Sequence, residues 1–151
     1  MKEYKVEGET IISFIHADKC PAQGKRDNQN EVKAIENFLF AKHIDNFCIL
    51  TPYNEQIFFL RTKFPHLFKE ERILTVHKSQ GREWDTVFLS VCDTENMWFT
   101  DSLSQLSNGK NLINTAVSRA KKELVVVCDY NFWIKQNRQL IQGLLSIANQ
   151  L

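Results

Sequence analysis

The sequence predicts an α/β domain built on an open, mostly parallel sheet. Short apolar runs alternate along the chain with helical patterns, which is typical of parallel strands joined by right-handed crossovers. The runs are continuously apolar, which indicates strands covered by helices on both faces. At 151 residues the chain is expected to form one domain over residues 1–151, because a second one of similar size does not fit.

The first half of the chain predicts two strand–helix units. Residues 11–15 are an apolar run, and the polar loop after them leads to Asn28 and Asn30, either of which can cap a helix. The run 47–51 is a second strand, ended by a proline, and Asn54 can cap the helix that follows. Each unit therefore has a clear start and stop signal.

The second half predicts three more strands, over residues 72–76, 86–91 and 123–128, which are rich in β-branched and apolar side chains. The polar stretch 93–110 is too long for a simple connection, so we expect it to be functional or mobile. Two further helices are predicted, one on each side of the last strand, over residues 111–121 and 134–148.

Net charge, hydropathy and cysteine content indicate what kind of protein this is and which sites it lacks. Nineteen Lys and Arg against eighteen Asp and Glu leave a formal charge of +1, so nucleic acid binding would depend on local groups rather than on a global basic field. No apolar stretch approaches the length of a membrane span. The four cysteines form no C-x-x-C pair, which favours reduced core residues over a disulfide framework or a zinc site. We expect a soluble, cytoplasmic protein with no metal site of its own and no membrane contact.

Two polar segments border the predicted strands. They are residues 75–85 (T-V-H-K-S-Q-G-R-E-W-D) and 114–121 (N-T-A-V-S-R-A-K). Since α/β proteins place ligand sites at the carboxyl edge of a parallel sheet, we expect the site there. The phosphate-cradling pattern G-x-x-x-x-G-K-[ST] is absent from the chain, so we expect that the chain does not hold ATP alone.

In order and spacing, these segments resemble motifs V and VI of superfamily 1 helicases. Residues 49–56 (I-L-T-P-Y-N-E-Q) look like the segment around motif IV, and the resemblance extends from about residue 11 to residue 127. The pair Asn30-Glu31 is similar to the RNA-surveillance branch, while residues 75–80 are equally similar to RecD-type enzymes. The resemblance implies the C-terminal RecA-like domain of such a motor: a three-layer α/β fold of the P-loop NTPase type that lacks the P-loop itself.

The resemblance also implies roles at bound ATP. Arg119 would be the catalytic arginine finger, since a permanently ionised guanidinium stabilises charge that builds on the γ-phosphate. Gly81 would lie against the triphosphate, and Glu83 would accept hydrogen bonds from the ribose hydroxyls. Gln80 would contact either the bound phosphates or the coupling network. An N-terminal RecA-like domain of the same protein would be the partner that supplies the phosphate-binding loop and holds Mg²⁺.

Thr75 and His77 are implied as contacts to a single strand of nucleic acid. Alternating positions at the end of a strand would place both on one side, and hydroxyl and imidazole groups suit phosphate and sugar contacts. By resemblance alone, DNA is favoured over RNA and 5′ to 3′ movement over the reverse.

Three points stay open at this level. Related motors often carry an arginine where this chain has Ile57, and Arg61, one helical turn on, is a candidate substitute. Trp84 is expected to pack beside the strand it opens, while Trp98 is a candidate for base stacking. The alternative to a motor domain is a RecA-like interaction module without motor activity, and a self-contained nucleotide hydrolase is disfavoured because no phosphate loop is present.

Overall fold

A computed structural model of the chain describes residues 10–20, 26–93 and 109–151. In this part of the chain, six strands form one sheet, and every adjacent pair is parallel. The strands are β1 Ile11–His16, β2 Phe47–Thr51, β3 Ile73–Thr75, β4 Trp84–Ser90, β5 Ala120–Cys128 and β6 Asn149–Gln150. Their spatial order is β3-β2-β4-β5-β1-β6, which places β3 at one end of the sheet. The predicted α/β class with a mostly parallel sheet is confirmed.

Helices cover both faces of the sheet. They are α1 Gln29–Ala41, α2 Asn54–Lys63, α3 Pro65–Lys69, α4 Gly109–Arg119, α5 Tyr130–Trp133 and α6 Leu140–Ile147. One core cluster packs α1 and α2 on the sheet through Ile35, Leu60 and Phe88, among others. A second cluster on the opposite face packs α4, α5 and α6 through Ala116, Trp133 and others. The continuously apolar strands are therefore buried on both sides, as their composition predicts.

Start signals in the sequence account for several of these elements. The side chain of Asn28 accepts hydrogen bonds from the backbone N–H groups of Asn30 and Glu31, so Asn28 rather than Asn30 caps α1. Trp84 is 8% exposed and opens β4 within the core, as expected. The four cysteines carry free thiols, and burial raises the pKa of the Cys48 thiol to about 12.

The structure corrects the predicted C-terminal helix over residues 134–148. Asp129 caps α5, accepting from the N–H of Phe132, so helical structure begins earlier and then stops. Arg138 has φ 71, a left-handed conformation that breaks a helix. A new helix, α6, begins only at Leu140. The sequence analysis therefore missed α5 and placed the start of α6 six residues too early.

The predicted strand over residues 72–76 is also too long. β3 ends at Thr75, and Val76 already has helical angles, φ −55 and ψ −40, ahead of a 3₁₀ helix at His77–Ser79. The expected polar loop over residues 93–110 falls mainly outside the described residues, and α4 begins within it, at Gly109. These changes move the boundaries of elements without altering their order.

Candidate functional site

A tight turn displays the glycine of the first polar segment. The N–H of Arg82 donates to the carbonyl of Ser79 at 3.1 Å, while Gln80 has φ −55 and ψ 131 and Gly81 has φ 79. These angles match a type II turn, whose third position needs the positive φ that glycine adopts without strain. A Cβ added to Gly81 would meet nothing within 4 Å, so the described chain leaves the space above this residue open.

Arg119, the last residue of α4, lies beside this turn. Its Nη1 donates to the carbonyl of Arg82 at 3.4 Å, and the next residue, Ala120, pairs with Trp84 across β4 and β5. Its Nε is buried and has no hydrogen-bond partner within the described part of the chain. A buried N–H of a charged group without an acceptor is unfavourable. The fold thus leaves one donor of the Arg119 guanidinium unsatisfied within the described part of the chain.

The remaining residues predicted to contact nucleotide lie at the same place. Gln80 and Glu83 are exposed, and Glu83 directly precedes β4 just as Arg119 directly precedes β5. We call Gln80, Gly81, Glu83 and Arg119 the amino-edge cluster, because all four precede the first residues of parallel strands.

This location corrects the expectation that the site lies at the carboxyl edge. The segment 76–83 leaves the carboxyl end of β3 and returns along one face of the sheet to the start of β4, as the burial of Val76 and Trp84 in one core cluster shows. β4 is seven residues long, so the two edges are about 20 Å apart at ~3.3 Å per residue.

Thr75 and His77 do lie towards the carboxyl edge, at the end of β3. The expected alternation is wrong, however, because the chain turns into the 3₁₀ helix after Thr75. Thr75 is 7% exposed, and its hydroxyl accepts from the N–H of Lys78 at 3.4 Å. His77 is exposed. The two residues are neighbours in space without sharing one side of a strand.

A cleft of about 290 Å³ runs beside β3. Thr75 and Lys78 line it together with Asn54, Ile57, Phe68, Glu71, Ile73 and Leu74. Hydroxyl, ammonium, carboxamide and carboxylate groups thus meet apolar and aromatic surface in one groove. The carboxylate, Glu71, is paired with Arg82 at 3.6 Å, so the groove suits a ligand that has both anionic and planar apolar parts.

The carboxyl edge also holds a buried polar network that the sequence analysis missed. Glu31 is fully buried. Its carboxyl group accepts from the Ser90 hydroxyl at 2.6 Å and from the Cys92 N–H at 3.1 Å. Burial, and to a smaller degree the negative charge of Asp93, raise the pKa of Glu31 to about 8 despite these hydrogen bonds. The carboxyl group is therefore mostly protonated at neutral pH.

Asp93 extends this network towards the start of α2. It accepts from the Tyr53 hydroxyl at 2.5 Å and from Arg26 Nη1 at 3.0 Å, and its carbonyl accepts from the indole N–H of Trp133 at 2.9 Å. Burial and Asp93 raise the pKa of the Tyr53 hydroxyl well above its usual value. Tyr53 belongs to the T-P-Y segment, so the network fixes that turn. In the sequence, the pair Asn30-Glu31 and the T-P-Y segment pointed towards this region, but neither indicated a buried network.

The open points are partly resolved by contacts. The Arg61 guanidinium lies 5.6 Å from the ring centre of Phe58 and 5.4 Å from that of Phe68, on α2 and away from the amino-edge cluster. Trp98 lies outside the described residues. Within residues 10–20, 26–93 and 109–151, no group of His, Cys, Asp and Glu side chains could hold a metal ion. The helices in those ranges are too short or too polar to cross a bilayer.

Comparison with known protein families gives a match over most of the chain. Residues 4–131 match a family described as an AAA domain. Among curated proteins, the chain is 31% identical over 90 residues to an uncharacterized ATP-dependent helicase, MJ0104, of Methanocaldococcus jannaschii, covering 60% of this chain and 12% of the relative. It is 30% identical over 121 residues to the DNA-binding protein SMUBP-2 of Mesocricetus auratus, covering 77% and 12%.

A third relative is the DNA replication ATP-dependent helicase/nuclease JHS1 of Arabidopsis thaliana, 27% identical over 132 residues, with 81% of this chain and 10% of the relative covered. The chain thus spans about a tenth of the length of these relatives. Among solved structures, the C-terminal domain of a possible DNA helicase from Lactobacillus plantarum aligns at 16% identity with a TM-score of 0.49, over 80% of this chain and 73% of that one. The likeness to helicase domains that the motifs indicate is confirmed by the family and the relatives.

Proposed function

Because the chain belongs to the AAA domain family, which it matches over residues 4–131, we propose that it is the C-terminal RecA-like motor domain of an ATP-dependent nucleic-acid helicase of superfamily 1. The observation that carries this proposal is the amino-edge cluster. Four residues from two distant segments meet at one point of the surface, and one of them, Arg119, holds a buried donor without an acceptor. An N-terminal RecA-like domain of the same protein is the proposed partner facing this surface.

The chemistry of the cluster fits a nucleoside triphosphate held by that facing domain. ATP supplies a phosphoryl group whose transfer to water builds negative charge on the γ-phosphate oxygens. Arg119 would stabilise this charge, because its guanidinium stays ionised and has an unsatisfied N–H. Gly81 and Gln80 would let the turn approach the phosphates, and Glu83 would accept from the ribose hydroxyls. Mg²⁺ would be held by the facing domain.

A single strand of nucleic acid would bind at the carboxyl end of β3. Thr75 and Lys78 supply a hydroxyl and an ammonium group to the cleft there, and His77 is exposed beside them. Such groups position phosphates without reading sequence. DNA is favoured over RNA, and two relatives named for DNA binding and DNA replication support this choice.

Arg119→Ala in the full-length protein tests the proposal. We expect hydrolysis to fall by about 10³-fold, in the range seen when a finger arginine is lost, with strand affinity and melting temperature almost unchanged. Arg119→Lys should recover little activity, because an ammonium cannot reproduce the planar guanidinium. Lys122→Ala is the matched control, since Lys122 is an exposed cation three residues further along β5 and 3.5 Å from Asp85.

Two results would count against the motor. Full hydrolysis by Arg119→Ala would mean that Arg119 is a structural residue. Absence of ATP hydrolysis by the full-length protein with saturating single strands, combined with intact strand binding, would favour the interaction module instead.

A further inference from the structure

A pair of short helices beside the cleft combines exposed aromatic rings with positive charge. α2 and α3, residues 54–69, contain four of the eleven phenylalanines of the chain and three Lys or Arg side chains against one carboxylate, Glu55. Phe58 is 53% exposed and Phe68 37% exposed. Exposed apolar groups that are contiguous, unlike single exposed residues, often mark a contact surface. This surface is therefore richer in both rings and cations than the nearly neutral chain as a whole.

The exposed rings are organised around one arginine. Arg61 lies over Phe58 at 5.6 Å and over Phe68 at 5.4 Å, measured from the guanidinium carbon to the ring centres. The cation–π contacts hold the two rings on one patch. Each ring has two faces, and the exposed fractions show that area remains for a further planar group. We call Phe58, Arg61 and Phe68 the aromatic platform.

The aromatic platform is continuous with the cleft beside β3. Phe68 belongs to both, since it also lines the cleft that contains Thr75 and Lys78. Glu71 is the carboxylate of that lining, and its charge is offset by Arg82, whose Nη1 lies 3.6 Å away. A ligand whose phosphates contact Thr75 and Lys78 would thus have Phe68 within the same groove.

We propose that the aromatic platform stacks the bases of a single-stranded nucleic acid whose phosphates bind at Thr75 and Lys78. This inference rests on the proposed function and extends it: it assigns base contacts to α2 and α3, outside the motif residues. Stacking on phenylalanine and guanidinium planes tolerates any sequence, because every base has an aromatic face. That suits a domain that must move along a strand irrespective of its sequence.

Abasic oligonucleotides separate stacking from phosphate contacts. In fluorescence anisotropy at low salt, the chain should bind a labelled dT12 about tenfold more tightly than an abasic strand of the same length, in line with the usual contribution of one stacked base. The double variant Phe58→Ala/Phe68→Ala should lose this preference while its salt dependence is retained. Lys78→Ala should do the reverse, with a shallower salt dependence and an intact preference for bases.

Two control variants test whether the effect is specific to the aromatic platform. Phe40→Ala removes a ring that is 94% exposed on α1, away from the cleft, and should change neither property. Phe68→Tyr retains a stacking face and should keep most of the preference. If wild type and the double variant bind both strands equally well, with unchanged melting temperatures, the platform is refuted while the motor assignment stands. If the wild-type chain and the full-length protein bind neither strand, the proposed function fails as well.

Discussion

Glu31→Gln should change how the stability of the domain depends on pH. The carboxyl group of Glu31 is fully buried and its pKa is raised from 4.5 to about 8, chiefly by burial. Between pH 4.5 and about pH 8, the folded state therefore binds one proton more than the unfolded state. Linkage then requires the contribution of Glu31 to stability to be fully present below pH 4.5 and to be lost as pH rises to about 8.

The magnitude follows from the proton difference. One extra proton in the folded state changes the free energy of unfolding by about 1.4 kcal/mol per pH unit. From pH 5.5 to 7.5, wild type should thus lose roughly 2 to 3 kcal/mol relative to Glu31→Gln. The amide keeps an acceptor oxygen for the Ser90 hydroxyl but cannot ionise. Any pH-independent change in stability caused by the NH₂ group is the same at pH 5.5 and at pH 7.5, so it does not affect the difference.

Urea unfolding followed by tryptophan fluorescence gives this difference directly, since Trp84 and Trp133 are buried. Wild type and Glu31→Gln are measured at pH 5.5, 6.5 and 7.5 at one ionic strength, so that other titrating groups cancel. Glu36→Gln, which exchanges a half-exposed carboxylate for an amide on the same helix, is the control for the substitution itself. A difference for Glu31→Gln that does not change with pH would refute the argument, because it would mean that Glu31 titrates alike in both states.

Two further predictions concern the motor. The isolated chain should hydrolyse no ATP, because no γ-phosphate is bound beside Arg119. An assay of phosphate release with saturating single strands measures the hydrolysis. Turnover that is abolished by Arg119→Ala would contradict the prediction. In the full-length protein, His77→Ala should weaken strand affinity and strand-stimulated hydrolysis but leave the basal hydrolysis rate unchanged. The control is His43→Ala, at an exposed histidine near the end of α1, which should change none of these three quantities. An equal loss in all three quantities for His77→Ala, with a lower melting temperature, would indicate a structural role.

Local signals were enough to predict most of the fold. β2 occupies residues 47–51 as predicted, because a continuous apolar run followed by proline admits few other structures. α3 was missed although Pro65 stands at its first position, where proline is favoured. Five residues carry too little periodicity to be recognised. β6, with two residues, exists only through its pairing with β1, and no local pattern encodes that contact.

The sequence motifs supply candidate site residues, but they do not predict how these residues are arranged in space. Gly81 is required by a turn that its own sequence neighbourhood defines. The contact between Arg119 and the Arg82 carbonyl depends instead on the register of β4 against β5, which a linear pattern does not state. The burial of Glu31 was missed for a related reason: an acidic residue in the first turn of a helix is ordinarily solvated. Only the tertiary position of Ser90 and Cys92 gives it partners.

The segment 76–83 joins the two edges of the sheet and is anchored in the core by two buried residues. Val76 is 1% exposed and Ser79 is fully buried. The Ser79 hydroxyl donates to the carbonyl of Val76 at 2.6 Å, and its own carbonyl accepts from Arg82. Arg82 in turn contacts Glu71 of the cleft through its side chain and Arg119 through its carbonyl. A displacement at the end of β3 would reach the turn beside Arg119 through the hydrogen bonds that join Val76, Ser79 and Arg82.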